Sequence, residues 1–250
     1  MGERRRSAIR TAVVWDALQA VLRARSDTVG ATRALHVVDL GGGTGGLAVP
    51  VAGLGHRVTV VDPSPDALAS LERRAAEVDL SASVRGVLGD AASLLDVVPP
   101  DSADVVICHG VLEVVDAPLE ALQAAAAVLV AGGTLSVLAA QRSAAVFARA
   151  LAGHLGEAAS LLDELGASRG GEDPLPRRFS QAELRALLAE AGFEVAEVRG
   201  VRVFIDHISS ALADSEPGAA EELQALESAV ATSPDFMAVA TQLHLLATVH

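Results

Sequence analysis

Along the chain the spacing of apolar residues switches between a period near 3.6 and short unbroken or alternating runs, and the switches mark out the elements. Ile9, Val13, Val14, Leu18, Val21 and Leu22 recur at helical spacing and predict a first helix over residues 8–25. A short apolar run predicts a strand at 35–40, followed by a glycine cluster and a helix at 45–54 whose regular part Pro50 delays. The second strand, RVTVVD, runs from Arg57 to Asp62, and Ser64 and Pro65 supply an N-cap and a first-turn proline for a helix reaching Glu77. SVRGVLGD, ending at Asp90, is a third strand leading into a short helix, and ADVVICHG, ending at His109 and Gly110, is a fourth. Asp116 and Pro118 open the next helix, which Gly132 and Gly133 are expected to close before a fifth strand, TLSVLAA.

Strand, turn and helix thus alternate five times, which predicts an α/β, Rossmann-like, doubly wound sheet with its functional edge at the strand C-termini. Residues 141–178 interrupt the rhythm. Phe147, Leu151, Leu155, Leu161, Leu162 and Leu165 predict a helical insertion after strand five, ending in the loop SRGGEDPLPRRF. It reads either as a cap over the substrate edge or as ordinary packing. Ser180 and Glu183 form a capping box for a helix ending at Gly192, and FEVAEVRGVRVF is a sixth strand. Residues 209–231 read as an acidic helix with Glu216, Glu221, Glu222 and Glu227 on a solvated face, and TQLHLLATVH as a last strand, antiparallel near one edge. The expectation is one domain over residues 1–250 with a seven-stranded, mostly parallel sheet.

Composition narrows the class. Ala124 to Ala131 is the longest clean apolar run, far short of the roughly 18 residues a spanning helix needs. Arg10, Asp16 and Gln19 interrupt the N-terminal apolar stretch, so it reads as an amphipathic helix and not a leader. The single cysteine, Cys108, falls in an apolar strand, so an intrachain disulfide is impossible and a cytoplasmic location is expected. Net charge is −13 and every fixed cation is an arginine. Broad, nonspecific nucleic-acid binding is therefore not expected, although Arg4, Arg5, Arg6, Arg177, Arg178, Arg199 and Arg202 could form a local patch.

The chemistry concentrates in LHVVDLGGGTGG, residues 35–46. Gly41, Gly43 and Gly46 fit G-x-G-x-x-G, the dinucleotide fingerprint. Asp39, Gly41, Gly43 and Gly45 equally fit D-x-G-x-G-x-G, and here the stretch resembles class I S-adenosylmethionine-dependent methyltransferases. Asp62, at the end of strand two, stands where an acid accepts from both hydroxyls of an adenosine ribose, which either cofactor carries. Asp90 and Ala91 favour the methyltransferase, because they match its adenine-facing position, and nothing in the chain suggests a nicotinamide site.

Over nearly its whole length the chain resembles the tRNA 5-carboxymethoxyuridine methyltransferase family, through HGVLEVVDAP, GVRVF with Asp206 beyond it, IRTAVVWDAL and TSPDFMAVATQLHLLATVH. The resemblance implies S-adenosylmethionine as cofactor. It implies that Arg10 meets the cofactor carboxylate, Gly42 and Gly43 its backbone, Asp62 the ribose, Asp90 and Ala91 the adenine region, and His109 the amino-acid end. A carboxylate acceptor is already ionised at pH 7, so the enzyme must align it more than deprotonate it. Arg202 is the candidate for orienting that anion, and His109 the base if the acceptor is a hydroxyl. The partner is tRNA or an anionic small molecule, with neither membrane nor metal expected, and a cofactor-binding module without catalysis is the reading from another class.

Overall fold

The structure is a computed structural model describing residues 3–30, 33–163, 177–208 and 218–249, with the side chains of residues 3–7 and 163 excepted. Seven strands form one sheet: β1 (His36–Leu40), β2 (Arg57–Asp62), β3 (Val84–Leu88), β4 (Ala103–His109), β5 (Leu129–Ala140), β6 (Phe193–Val201) and β7 (Gln242–Val249). Their order is β3-β2-β1-β4-β5-β7-β6. β1 to β5 pair in parallel, and antiparallel pairing enters with the C-terminal strands. Between β1 and β4 the order changes direction, which opens a crevice at the strand C-termini.

Ten helices are described: α1 (Glu3–Val29), α2 (Ala48–Gly53), α3 (Pro65–Ala76), α4 (Leu94–Val97), α5 (Pro118–Val128), α6 (Arg142–Leu151), α7 (Leu155–Asp163), α8 (Gln181–Glu190), α9 (Ala219–Val230) and α10 (Pro234–Met237). Ser64 caps α3 as expected, its hydroxyl accepting from the Ala67 N–H at 3.2 Å. The capping box at α8 is complete: Glu183 N–H donates to Ser180 Oγ at 3.2 Å, and Ser180 N–H donates to Glu183 Oε2 at 2.6 Å.

The chain forms two compact units, one of residues 19–138, 185–197 and 245–250, the other of residues 1–18, 139–184 and 198–244. In the first, β1 and β4 are almost wholly buried. Asp104, at the foot of β4, is buried, and it is compensated: Arg25 and Arg33 pair with its Oδ1, and the His36 N–H donates to Oδ2 at 3.0 Å. In the second, Ile9, Ile205 and Leu223 share one apolar cluster and Val203, Val230 and Ala240 another.

Three expectations are corrected. Gly132 and Gly133 do not end a helix; α5 stops at Val128 and the glycines lie inside β5, at a bulge where pairing with β4 jumps from Ala103–Leu129 to Val105–Thr134. A Cβ on Gly133 would fall 2.8 Å from the Val130 carbonyl oxygen, which explains the glycine without a helix stop. β6 ends at Val201 because Arg202 turns into the left-handed region, φ 62°. Glu227 is not on a solvated face. It is 1% exposed, and its carboxylate accepts from the N–H groups of Val203, Phe204 and Ile205 at 2.9, 2.9 and 2.8 Å. Leu223, Glu227 and Val230 occupy one buried face of α9, so the acid takes a core position and is stabilised there by the turn it binds.

Glu221 and Glu222 are exposed, as expected, whereas Leu165, Glu216 and most of SRGGEDPLPRRF lie outside the described residues. The described part of the insertion holds two helices, α6 and α7, with Phe147, Leu151, Leu155 and Leu162 exposed.

Candidate functional site

Gly41, Gly43 and Gly45 turn the chain out of β1 with φ of 70°, 54° and 79°, a sequence of left-handed residues that side chains resist. Gly42 is required for a different reason. A Cβ there would stand 2.4 Å from the Asp39 carboxyl group, so the turn closes directly over that acid.

Asp39 is buried, and its Oδ2 has no hydrogen-bond partner among the described residues. Burial first, and the nearby Asp62 charge second, push its pKa up to about 7. Asp62, at the end of β2, is also buried but differently supported. Gly43 N–H donates to its Oδ2 and Ser64 N–H to its Oδ1, both at 2.9 Å. Each oxygen is thereby fixed in place and keeps acceptor capacity for a ligand.

These strand ends border a cavity of about 550 Å³, and Gly41, Asp62, Asp90 and Ala91 are among the residues lining it. Asp90 is held in a turn by Ser93, whose N–H and hydroxyl donate to Oδ1 at 2.9 and 2.8 Å, and these bonds lower its pKa below the usual carboxylate range. Val111, Val114 and Val115, from the turn after β4, add an apolar wall. The resemblance implies that this strand end and its following turn line the cofactor pocket, and the individual valines are what the structure adds. Of the expected site residues in this unit, Asp39, Gly42, Gly43 and Gly45 are outside the lining, and so is His109. His109 is half-buried, and its Nε2 hydrogen-bonds with Ser136 Oγ on β5 at 2.8 Å.

In the other unit, Arg10 and Arg202 meet on one carboxylate. Arg10 Nε and Nη2 lie 3.2 and 3.1 Å from Asp206 Oδ1, and Arg202 Nη2 lies 2.6 Å from Oδ2. Arg202 Nη1 also donates to Gln242 Oε1 at 3.4 Å, while its Nε is buried without a partner among the described residues. Cys108 is an inert core thiol, its pKa pushed up to about 12 by burial. Among the described residues no helix is long and apolar enough to cross a membrane, and no three His, Cys, Asp or Glu gather as metal ligands.

Comparison with known proteins places this arrangement. Residues 38–137 match the family model described as a methyltransferase domain. A ubiquinone biosynthesis O-methyltransferase of Xanthomonas campestris is 36% identical over 150 residues, covering 56% of this chain and 61% of the relative, so the match leaves over a third of that protein unspanned. The tRNA 5-carboxymethoxyuridine methyltransferase of Escherichia coli is 29% identical over 203 residues, 80% of this chain and 73% of the relative. Among solved structures, an S-adenosylmethionine-dependent methyltransferase from Listeria monocytogenes superposes with a TM-score of 0.63 at 17% identity, over 97% of this chain and 99% of the other. The [4+2]-cyclase SpnF superposes with a TM-score of 0.58 at 20% identity, over 92% and 80%. At those identities the two structures speak for the fold alone.

Proposed function

From the premise that this chain belongs to the class I S-adenosylmethionine-dependent methyltransferases, we propose that it binds S-adenosylmethionine at the glycine turn and methylates the carboxylate of a 5-carboxymethoxyuridine-type wobble nucleoside in tRNA. The observation that carries the cofactor half is Asp62, whose two oxygens are pre-positioned by backbone N–H groups at the rim of a cavity sized for a small ligand. The residues fit the cofactor: Asp62 accepts from the ribose hydroxyls, Asp90 and Ala91 face the adenine, and the positive-φ glycines let the ligand approach the backbone. Asp39, Gly42 and Gly45 hold that turn in shape, and by the family resemblance His109 is assigned to the amino-acid end. When bound, the sulfonium supplies an electrophilic methyl group.

Arg202 is assigned to the acceptor. A guanidinium whose plane is fixed by Asp206 and Gln242 is pre-oriented for an anionic oxygen, and one contact orients a carboxylate without blocking the oxygen that attacks. An ionised acceptor needs no base, so His109 need not move a proton.

A second reading keeps the cofactor and replaces tRNA by an anionic small molecule. The chain's −13 charge favours it, because an extended polyanion meets repulsion that a single carboxylate escapes. Mass spectrometry of wobble nucleosides from cells with and without the protein separates the two. Loss of the methyl ester with the protein supports tRNA; unchanged nucleosides refute it. Calorimetric titration with S-adenosylhomocysteine tests the cofactor half independently, and absence of binding removes both readings.

A further inference from the structure

The opposite ends of the same strands carry a second, larger cavity. It encloses about 790 Å³ and shares no lining residue with the first. His36 pairs in register with Arg57, and Thr59 with Arg85, so these four side chains fall on one face across β1, β2 and β3. Sheet faces in doubly wound folds are normally apolar and covered by helices. Here the helix following β3 is α4, four residues long, and the cavity lies against its end at Val97, Val98 and Pro99.

Arg57 and Arg85 have no ion pair among the described residues, although the chain has 32 acids for 19 cations. Glu72 lines the same cavity and pairs with neither. The two arginines are diagonal neighbours on adjacent strands, within reach of one shared ligand. The other polar groups of this face are already committed to each other. His36 Nδ1 lies 2.9 Å from the Ser102 carbonyl oxygen, an obligate acceptor, so Nδ1 carries the proton in the neutral ring and Nε2 accepts from the Thr59 hydroxyl at 3.0 Å.

We propose that this cavity is a second binding site, for a phosphate monoester of a small organic molecule, with Arg57 and Arg85 holding the phosphate. A monoester carries nearly two negative charges at pH 7 and offers three equivalent oxygens, which matches two guanidinium forks better than a carboxylate does. Val97, Val98 and Pro99 receive the organic part. With a net charge of −13 over the whole chain, a ligand whose charge is compact meets less overall repulsion than a diester backbone that carries further phosphates.

Phenyl phosphate is the probe, titrated calorimetrically at about 0.15 M salt, where loose surface attraction is screened. One molecule should bind per chain, and phenol should not bind. The double variant Arg57→Ala, Arg85→Ala should weaken binding at least about tenfold, the loss of one charge-assisted contact or more. Both arginines are exposed, so its melting temperature and circular dichroism should match the parent protein. Asp62→Ala, in the other cavity, should leave phenyl phosphate affinity unchanged. Absence of binding, equal binding by the double variant, or tighter binding of an oligouridylate lacking a terminal phosphate overturns the proposal.

Discussion

Asp39 gives the sharpest test of how the glycine turn is built. In the folded chain its pKa is about 7 against an ordinary 3.8, and burial is the main cause. The folded state therefore holds a proton that the unfolded state releases between about pH 4 and pH 7. The sign follows: a raised carboxylate pKa gives stability that is whole below pH 4 and lost as pH rises through 7. Three pKa units correspond to roughly 4 kcal/mol, reached in full only above pH 7. Asp39→Asn keeps the shape and removes the ionisation. In urea denaturation the variant should match the parent at pH 4 and exceed it increasingly up to pH 8, by an amount on the order of a few kcal/mol. Taking the difference between the two proteins at each pH cancels every other titrating group. If S-adenosylhomocysteine binding weakens in the same variant while stability rises, Asp39 carries charge for the ligand at the expense of the fold. A difference in stability that stays flat from pH 4 to pH 8 would refute the buried, half-protonated carboxylate.

Asp62→Ala should weaken S-adenosylhomocysteine binding by about 1–3 kcal/mol, since the ribose hydroxyls lose their acceptor, and calorimetry reads this directly. Gly42→Ala forces a methyl group into the Asp39 carboxyl, and the urea midpoint should fall by the equivalent of about 1–3 kcal/mol or more. Glu227→Gln opposes an NH₂ to backbone donors that now share a carboxylate; unfolding free energy should drop by about 1–3 kcal/mol, and amide exchange at Val203, Phe204 and Ile205 should accelerate.

The first five strands are legible because their information is local. Apolar runs end at Asp39, Asp62 and His109, each at or beside the end of the observed strand, and at Asp90, two residues past the end of β3. The runs of β1 and β4 need no knowledge of what packs on them, as buried parallel strands are apolar on both faces. Gly132 and Gly133 show where local reading fails. A glycine pair after a helix is a stop signal on propensity alone, yet here the register of β4 against β5 demands a bulge, and register is a property of two strands. Glu227 fails for the same kind of reason. Its place at helical spacing between Leu223 and Val230 puts it on the buried face, but only the turn at residues 203–205 explains why an acid is tolerated there.

That turn also explains why the acceptor half of the chemistry is harder to read than the cofactor half. The glycine turn advertises itself by composition, since positive φ calls for glycine. Arg202 adopts φ 62° without being glycine, a conformation that costs about 1 kcal/mol or more and must be supported from outside. The support is distant in sequence: Glu227 binds the three following N–H groups, the Thr241 hydroxyl donates to the Arg202 carbonyl oxygen at 3.0 Å, and Asp206 takes the guanidinium. A strained arginine held by contacts from α9, from the approach to β7 and from its own turn has its side chain aimed by the fold. Motif reading can find its identity and not its direction. Replacing Arg202 by lysine preserves charge but not the planar fork, so acceptor discrimination, more than folding, is where that substitution should register.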